Sequence, residues 1–422
     1  MRKLGKFWLI FLALAALLLI VAVACEEEGE ETPTGTPAAT VTGSPTAVGE
    51  VPGITDTEIV LGSHFALSGT WGAAYAPTIA GAEAYFEYVN AEKGGVCGRQ
   101  IVLKVEDDQF LPAGAVEAVK KLLDRDKVFA IIAGLGAAAH SAVWEDLNER
   151  GVPDLWIMAG DHKWAAEPEK HPWSVAILPD FYVEGTIFGE YISDGMPGKK
   201  VGILYENDEY GRDELAGLKN GLDATKNELV SEQSYEITAV SIRSQVSNMK
   251  DAGAEVVVGA CLPPSCAQLI KEADRLGWHP QFFISYVNSD PMMFRYASAE
   301  LMEGVITLQA GKLSDWTDDP AVAEHHRIMK EYADFAAGNF TIAGQNAAVL
   351  TVEALSRTCD NLTREGLMDA VHSFRDYQLD LILPGITITL SPTDHLVTEA
   401  MRMLRAHDGK WEYFGEIISF RD

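Results

Sequence analysis

From Thr55 onward, short apolar runs alternate with stretches whose apolar residues recur at helical spacing. Glu58–Gly62 (EIVLG) predicts a strand, Pro77–Asn90 a helix and Gln100–Glu106 (QIVLKVE) a second strand. Ala113–Asp124 then predicts a helix, Val128–Ala133 a third strand, Ala138–Arg150 a helix and Leu155–Met158 a fourth strand. The runs are apolar throughout rather than alternating, as strands covered on both faces should be. A second series comes next: helix Phe181–Tyr191, strand Lys200–Tyr205, helix Gly211–Leu222, strand Leu229–Tyr235, helix Ile242–Ala252, strand Glu255–Gly259, helix Cys266–Leu276 and strand Gln281–Ser285. Residues 320–376 read as mostly helical. The tail alternates through Gly385–Leu390, Ala400–Ala406 and Trp411–Phe414, with His407-Asp408-Gly409-Lys410 as a hairpin turn. Two βαβ series predict an α/β chain of two doubly wound lobes. Ligands of such sheets sit outside the carboxyl ends of the strands, and facing lobes can enclose a small molecule.

The first 25 residues are different. Arg2, Lys3 and Lys6 precede an uncharged apolar run from Phe7 to Val23. By length this is either a signal sequence or a short anchor helix. Ala22-Val23-Ala24 before Cys25 resembles the lipobox of bacterial lipoproteins, which implies cleavage after residue 24 and a lipid on Cys25. Either reading puts the rest of the chain outside the cytoplasm. Residues 25–53 carry Glu26, Glu27, Glu28, Glu30 and Glu31 and then a Thr/Pro/Gly/Ala stretch. Such a segment has too little apolar surface to offset chain entropy and reads as a disordered tether.

The chain has 422 residues, with 33 basic against 62 acidic side chains and a formal charge of −29. Loss of Arg2, Lys3 and Lys6 would make it three units more negative. That charge disfavours phosphate backbones, so nucleic acid is not an expected partner. Of five cysteines, Cys261 and Cys266 are the expected disulfide, while Cys97 and Cys359 have no pairing assigned. No zinc ligand spacing, GxSxG, HExxH or Walker loop is present, so neither a metal, a cofactor nor a catalytic residue is expected. Glu324-His325-His326 reads as the exposed face of a polar helix, and Glu106-Asp107-Asp108 as a strand-end motif. Gly134-Leu135-Gly136-Ala137-Ala138-Ala139 formally fits a dinucleotide fingerprint. It is not on the first strand, however, and the acidic residue the fingerprint needs is missing from the next strand's end.

Taken in order, Ile59-Val60-Leu61-Gly62, Leu67-Ser68-Gly69, Val89-Asn90-Ala91-Glu92-Lys93-Gly94-Gly95, Asp107-Asp108, Gly134-Leu135-Gly136, Leu204 to Gly211 and Leu276-Gly277-Trp278-His279-Pro280 resemble type I periplasmic solute-binding proteins of the leucine/isoleucine/valine ABC-importer branch. The resemblance spans 54–422. It implies a type I periplasmic-binding-protein fold with a three-crossover hinge, the N-terminal lobe taking 54–178 plus 311–384 and the C-terminal lobe 179–310 plus 385–422. It also implies capture of a small polar solute by lobe closure, with permease and ATPase subunits as partners and a lipid on Cys25 as the membrane link. A sensor of the same fold, signalling to a membrane partner, is the alternative; a secreted hydrolase is a remote one.

On that resemblance the solute contacts fall on the loops after the strands: Ser68, Trp71 and Tyr75; Leu135, Gly136 and Ala137; Ala159, Gly160 and Asp161; Tyr210; and Ser285 with Tyr286. Two positions depart from amino-acid binders. Asp161 stands where a small hydroxyl residue helps hold the ligand carboxylate. Ser285-Tyr286-Val287-Asn288 stands where a carboxylate would hold the ammonium. The aromatic side chains suit a flat or aromatic acid or amide.

Overall fold

The computed structural model describes residues 51–420. The signal segment 1–24, Cys25 and most of the 25–53 tether lie outside them. Among the described residues no helix is long and apolar enough to cross a membrane.

The first lobe opens with β1 (Glu58–Phe65), α1 (Gly69–Tyr88), β2 (Gln100–Asp107), α2 (Pro112–Lys120), β3 (Ile131–Ile132), α3 (Ala137–Glu149), β4 (Asp154–Ile157), α4 (Lys163–Ala166) and β5 (Ser174–Ala176). Its five strands are all parallel, in the order β2-β1-β3-β4-β5. The chain then crosses to α5 (Phe181–Gly195), β6 (Lys200–Glu206), α6 (Glu209–Gly221), β7 (Glu228–Tyr235), α7 (Arg243–Asp251), β8 (Val256–Ala260), α8 (Pro263–Arg275), β9 (Gln281–Ile284), α9 (Met292–Tyr296), α10 (Ala299–Met302) and β10 (Ile306–Gln309). It returns for α11 (Pro320–Tyr332), α12 (Asn339–Arg357) and α13 (Arg364–Val371), and ends in the hairpin β11 (Ala400–His407) and β12 (Lys410–Ser419). The second sheet runs β12-β11-β10-β9-β8-β6-β7, parallel except for that hairpin. Asp408 and Gly409 both take positive φ at its tip, 48° and 74°, the backbone that a tight hairpin turn requires.

The central strands follow the hydrophobic pattern because they are buried on both faces, whereas β2, β7 and β12 at the sheet edges are partly exposed. Every residue of β4 and β8 is buried. The expected third strand shrinks to Ile131–Ile132. The expected strand at Gly385–Leu390 is not one, since only Ile388 makes a bridge, to Tyr377 of the first lobe. Leu396 pairs parallel with Ala176 beside β5, and the Thr398 hydroxyl donates to the Ile177 carbonyl at 2.7 Å. The third crossing therefore comes after Thr398, later than the expected division at 384/385.

Another correction concerns Glu324-His325-His326. Glu324 is exposed and pairs with Arg327 at 2.8 Å, but His325 is fully buried, bonded to Gln345 and Thr341 at 2.8 Å each. One helix carries both faces, and burial holds the His325 ring down at a pKa of about 4. The Glu106-Asp107-Asp108 motif is structural: Glu106 meets Arg125 at 2.6 Å, Asp107 accepts from Ser68, and Asp108 faces His64 at 2.8 Å.

Cys261 and Cys266 are bonded, and so are Cys97 and Cys359, which lie 262 residues apart. A bridge that closes so long a loop restrains the unfolded chain far more than one that spans five residues. Removing the Cys97–Cys359 bridge with C97S/C359S should lower stability by about 2–5 kcal/mol. Removing Cys261–Cys266 should shift it less, with both read by calorimetric melting of the oxidised protein.

Candidate functional site

The carboxyl ends of both sheets face one cleft of about 1200 Å³, its open mouth included. From the first lobe it is lined by Tyr75 and Thr78 of α1, by Leu135, Gly136 and Ala137 between β3 and α3, and by Met158 and Ala159 after β4. From the second lobe come Glu206 at the end of β6, Asp208, Tyr210, Leu262 and Tyr286. The crossovers add Pro179 and Gln309, and α12 adds Asn339 and Phe340. The lining is mostly apolar and aromatic.

Local chemistry sets these positions. Asp107 and Asp108 each accept a backbone N–H two residues ahead, from Gln109 at 3.0 Å and Phe110 at 2.7 Å. The two carboxylates thereby hold Gln109 and Phe110 at positive φ, 56° and 61°, and swing the Phe110 ring into the cleft. That ring stacks on Tyr75 at 5.9 Å and covers Gly136. Gly136 has φ of 95°, and a Cβ there would sit 2.8 Å from the ring, so only glycine fits. Phe340 closes the other side of Tyr75 at 5.5 Å.

In the second lobe Asp208 caps α6 by accepting from Gly211 N–H at 3.2 Å, which fixes Tyr210 in the first turn. Tyr210 packs on Phe181 at 4.4 Å, and Phe181 stacks on Tyr286 at 5.4 Å. The Tyr286 hydroxyl donates to the Pro179 carbonyl at 2.7 Å. It passes directly over Gly160, where a Cβ would meet it at 2.3 Å and the Pro179 oxygen at 2.2 Å.

The structure thus brings Tyr75, Leu135, Gly136, Ala137, Ala159, Tyr210 and Tyr286 together around the cleft. The remaining expected contacts do not line it. Ser68 is exposed, and its hydroxyl donates to Asp107 at 2.5 Å. Trp71 leans on the outer side of Phe110, with centroids 5.8 Å apart. Gly160 leaves room for the Tyr286 hydroxyl. Asp161 turns away to accept from Trp164 Nε1–H at 2.9 Å, and burial holds its carboxyl well above the usual range. Ser285 is fully buried and donates to Glu184 at 2.7 Å, while Tyr286 N–H donates to the same carboxylate at 2.6 Å. Ser285 lies at the expected strand end but serves the core beneath the cleft.

Sequence reasoning missed Phe110, Phe181, Phe340, Glu206 and Asp208. Glu206 and Asp208 stood within the run Leu204 to Gly211, and two acids at a strand end before a helix were a usable signal. Phe340 sits in the first turn of α12, more than a hundred residues along the chain from the other four, and nothing local marks it.

The site is electrostatically unusual. Glu206 is raised to about 8, first by burial and then by the charge of Asp208; its carboxylate accepts from Tyr235 at 2.8 Å. Asp208 is also raised by burial. Beneath Tyr286, burial raises Glu184 to about 8 and Glu214 well above its ordinary value, the two carboxyls lying against one another. The Tyr75 and Tyr210 hydroxyls are buried without a hydrogen-bond partner.

The family described as periplasmic binding protein matches residues 58–410. An amino acid binding protein of Pseudomonas aeruginosa is 25% identical over 290 residues, covering 64% of this chain and 70% of that protein. A Leu/Ile/Val-binding protein homolog of Brucella abortus is 23% identical over 60% of this chain and 66% of its own length. Among solved structures, a fatty acid ABC transporter substrate-binding protein from Thermomonospora curvata superposes with a TM-score of 0.78 at 24% identity, covering 87% of this chain and 94% of that one. A branched chain amino acid ABC transporter protein from Thermus thermophilus with bound valine gives 0.76 at 20% identity, covering 87% and 97%.

The raised carboxyls set a pH dependence. A carboxyl held at about 8 keeps its proton in the native state while the unfolded chain releases it near 4.5. The native state therefore binds more protons across that window, and stability is lost as pH climbs from about 4.5 toward 8. The melting temperature should fall over this range, and Glu206→Gln should flatten the fall.

Proposed function

Since the chain belongs to the periplasmic binding protein family, we propose that it is the extracytoplasmic receptor of an ABC importer, capturing a small solute by closing its two lobes. One observation carries this reading: a single cleft takes walls from the strand ends of both sheets, so a solute in it touches Tyr75 and Gly136 on one side and Glu206 and Tyr210 on the other. A ligand that contacts both lobes favours the shut state by its differential affinity. The Thermomonospora and Thermus structural neighbours are both ABC transporter proteins.

The solute has an apolar body. Phe110, Tyr75, Phe340, Phe181 and Leu262 offer ring faces and aliphatic surface, and few polar groups set orientation. The α-amino acid clamp is weakened at both expected points, since Asp161 faces Trp164 and Ser285 faces Glu184. A lipid on Cys25 and a tether through residue 53 would keep the receptor close to its permease.

Mass spectrometry of solute released from the purified protein should find a small molecule, and small-angle scattering should show the protein contract when it is added back. An empty protein that no solute compacts or stabilises would defeat the capture reading. Tyr210→Ala should weaken binding about tenfold or more through the lost ring contact, with the melting profile still cooperative. Cys25→Ala should move the protein from the membrane fraction to the soluble one; unchanged fractionation would count against a lipid anchor.

A further inference from the structure

The cleft is not electrically neutral in its design. Among the described residues that line it, the acidic side chains are Glu206 and Asp208, both in the second lobe. The one basic side chain is Lys312, and its Nζ is held by Asp319 at 2.6 Å. No lining cation is therefore free to neutralise the two acids. Glu206 is only 3% exposed, and its surroundings add no positive charge: Tyr235 on β7 donates to it, while Asp208 and Glu236 add negative charge. Across the cleft stands Tyr75, whose hydroxyl is unpartnered in a side chain 6% exposed and lies within the field of Glu206. A hydroxyl buried without a partner costs stability until a ligand supplies one.

We infer that Glu206 and Asp208, with the Tyr75 hydroxyl opposite, form a subsite for a cationic nitrogen, and that the solute is an organic amine with an apolar body rather than an α-amino acid or a carboxylic acid. The inference rests on the reading of the cleft as a capture site and narrows it. A carboxylate would find no free lysine or arginine in the lining, and only the Glu206 proton and the Tyr75 hydroxyl as donors. An ammonium would be drawn in by the overall charge of −29, would meet a carboxylate, and would have the Tyr75 oxygen as a further acceptor. Glu206 holds its proton when the cleft is empty. Binding of the ammonium makes the carboxylate the favoured form, so the Glu206 proton leaves to solvent as the ion pair forms.

Calorimetry on the full chain at pH 7 tests this with three probes of one shape: phenethylamine, 3-phenylpropanoate and phenylalanine. Phenethylamine should bind at least about tenfold more tightly than either of the others, as expected of a charge-assisted bond. Repeating the titration in phosphate and in Tris should reveal release of about one proton per amine bound, since Glu206 sits about one unit above the working pH. Glu206→Gln keeps an acceptor for Tyr235, and Asp208→Asn keeps a cap for α6. Each should weaken phenethylamine about tenfold, and Glu206→Gln should abolish the proton release. Tighter binding of 3-phenylpropanoate or phenylalanine overturns the subsite, as does failure of phenethylamine to bind or an unchanged affinity in both variants. The released solute separates the two levels: a molecule lacking a basic nitrogen sinks the subsite and leaves capture standing. A protein that releases nothing and binds no probe sinks both.

Discussion

The structure depends on one geometric constraint: two parallel sheets turn the carboxyl ends of their strands toward a common space. In a parallel sheet those ends gather the loops, the helix N-termini and the side chains released from the ladder. Each lobe alone would present a shallow rim. Set face to face and joined by crossovers after β5, after β10 and after Thr398, the rims become the walls of a cleft. Much of the site follows from which residues end a strand, and α1 and α12 supply Tyr75 and Phe340 from the side.

Packing then narrows what the cleft can hold. Phe110 enters because two aspartates fold its loop back on itself, and Gly136 admits the ring because any Cβ would strike it. Tyr286 is fixed by the Pro179 carbonyl and by the space over Gly160. These rings are held by their own hydrogen bonds and neighbours, so the apolar part of the site is organised before a solute arrives. The polar part is organised differently. Glu206 and Asp208 sit in surroundings that disfavour their charge, and Glu184 and Glu214 lie against each other below. Burial there stores a preference for a proton, which a suitable ligand or a rise in pH can reverse.

Much of the fold was readable from periodicity. Runs such as Val256–Ala260 are apolar at every position because both faces are covered, and that pattern survives without any knowledge of neighbours. The Asp408-Gly409 turn was readable for the same reason, since positive φ is a local demand. Gly385–Leu390 looked equally strand-like and is not a strand, because a strand exists only where another backbone offers its hydrogen bonds. His325 looked exposed because its neighbour Glu324 is, yet it turns the other way on the same helix.

The family resemblance supplied the seven expected residues that line the cleft, while the sequence by itself determined the two wound series and the bonded pair Cys261 and Cys266. These rest on local pattern: period, turn chemistry and position after an apolar run. Tertiary structure alone decided that Cys97 meets Cys359, that Phe340 joins Tyr75, and that Asp161 and Ser285 face inward to Trp164 and Glu184. It also decided that Glu206 would be buried with no cation beside it. The reason is physical: contact and burial are set by what arrives from distant parts of the chain, and no local spacing encodes which partner that will be.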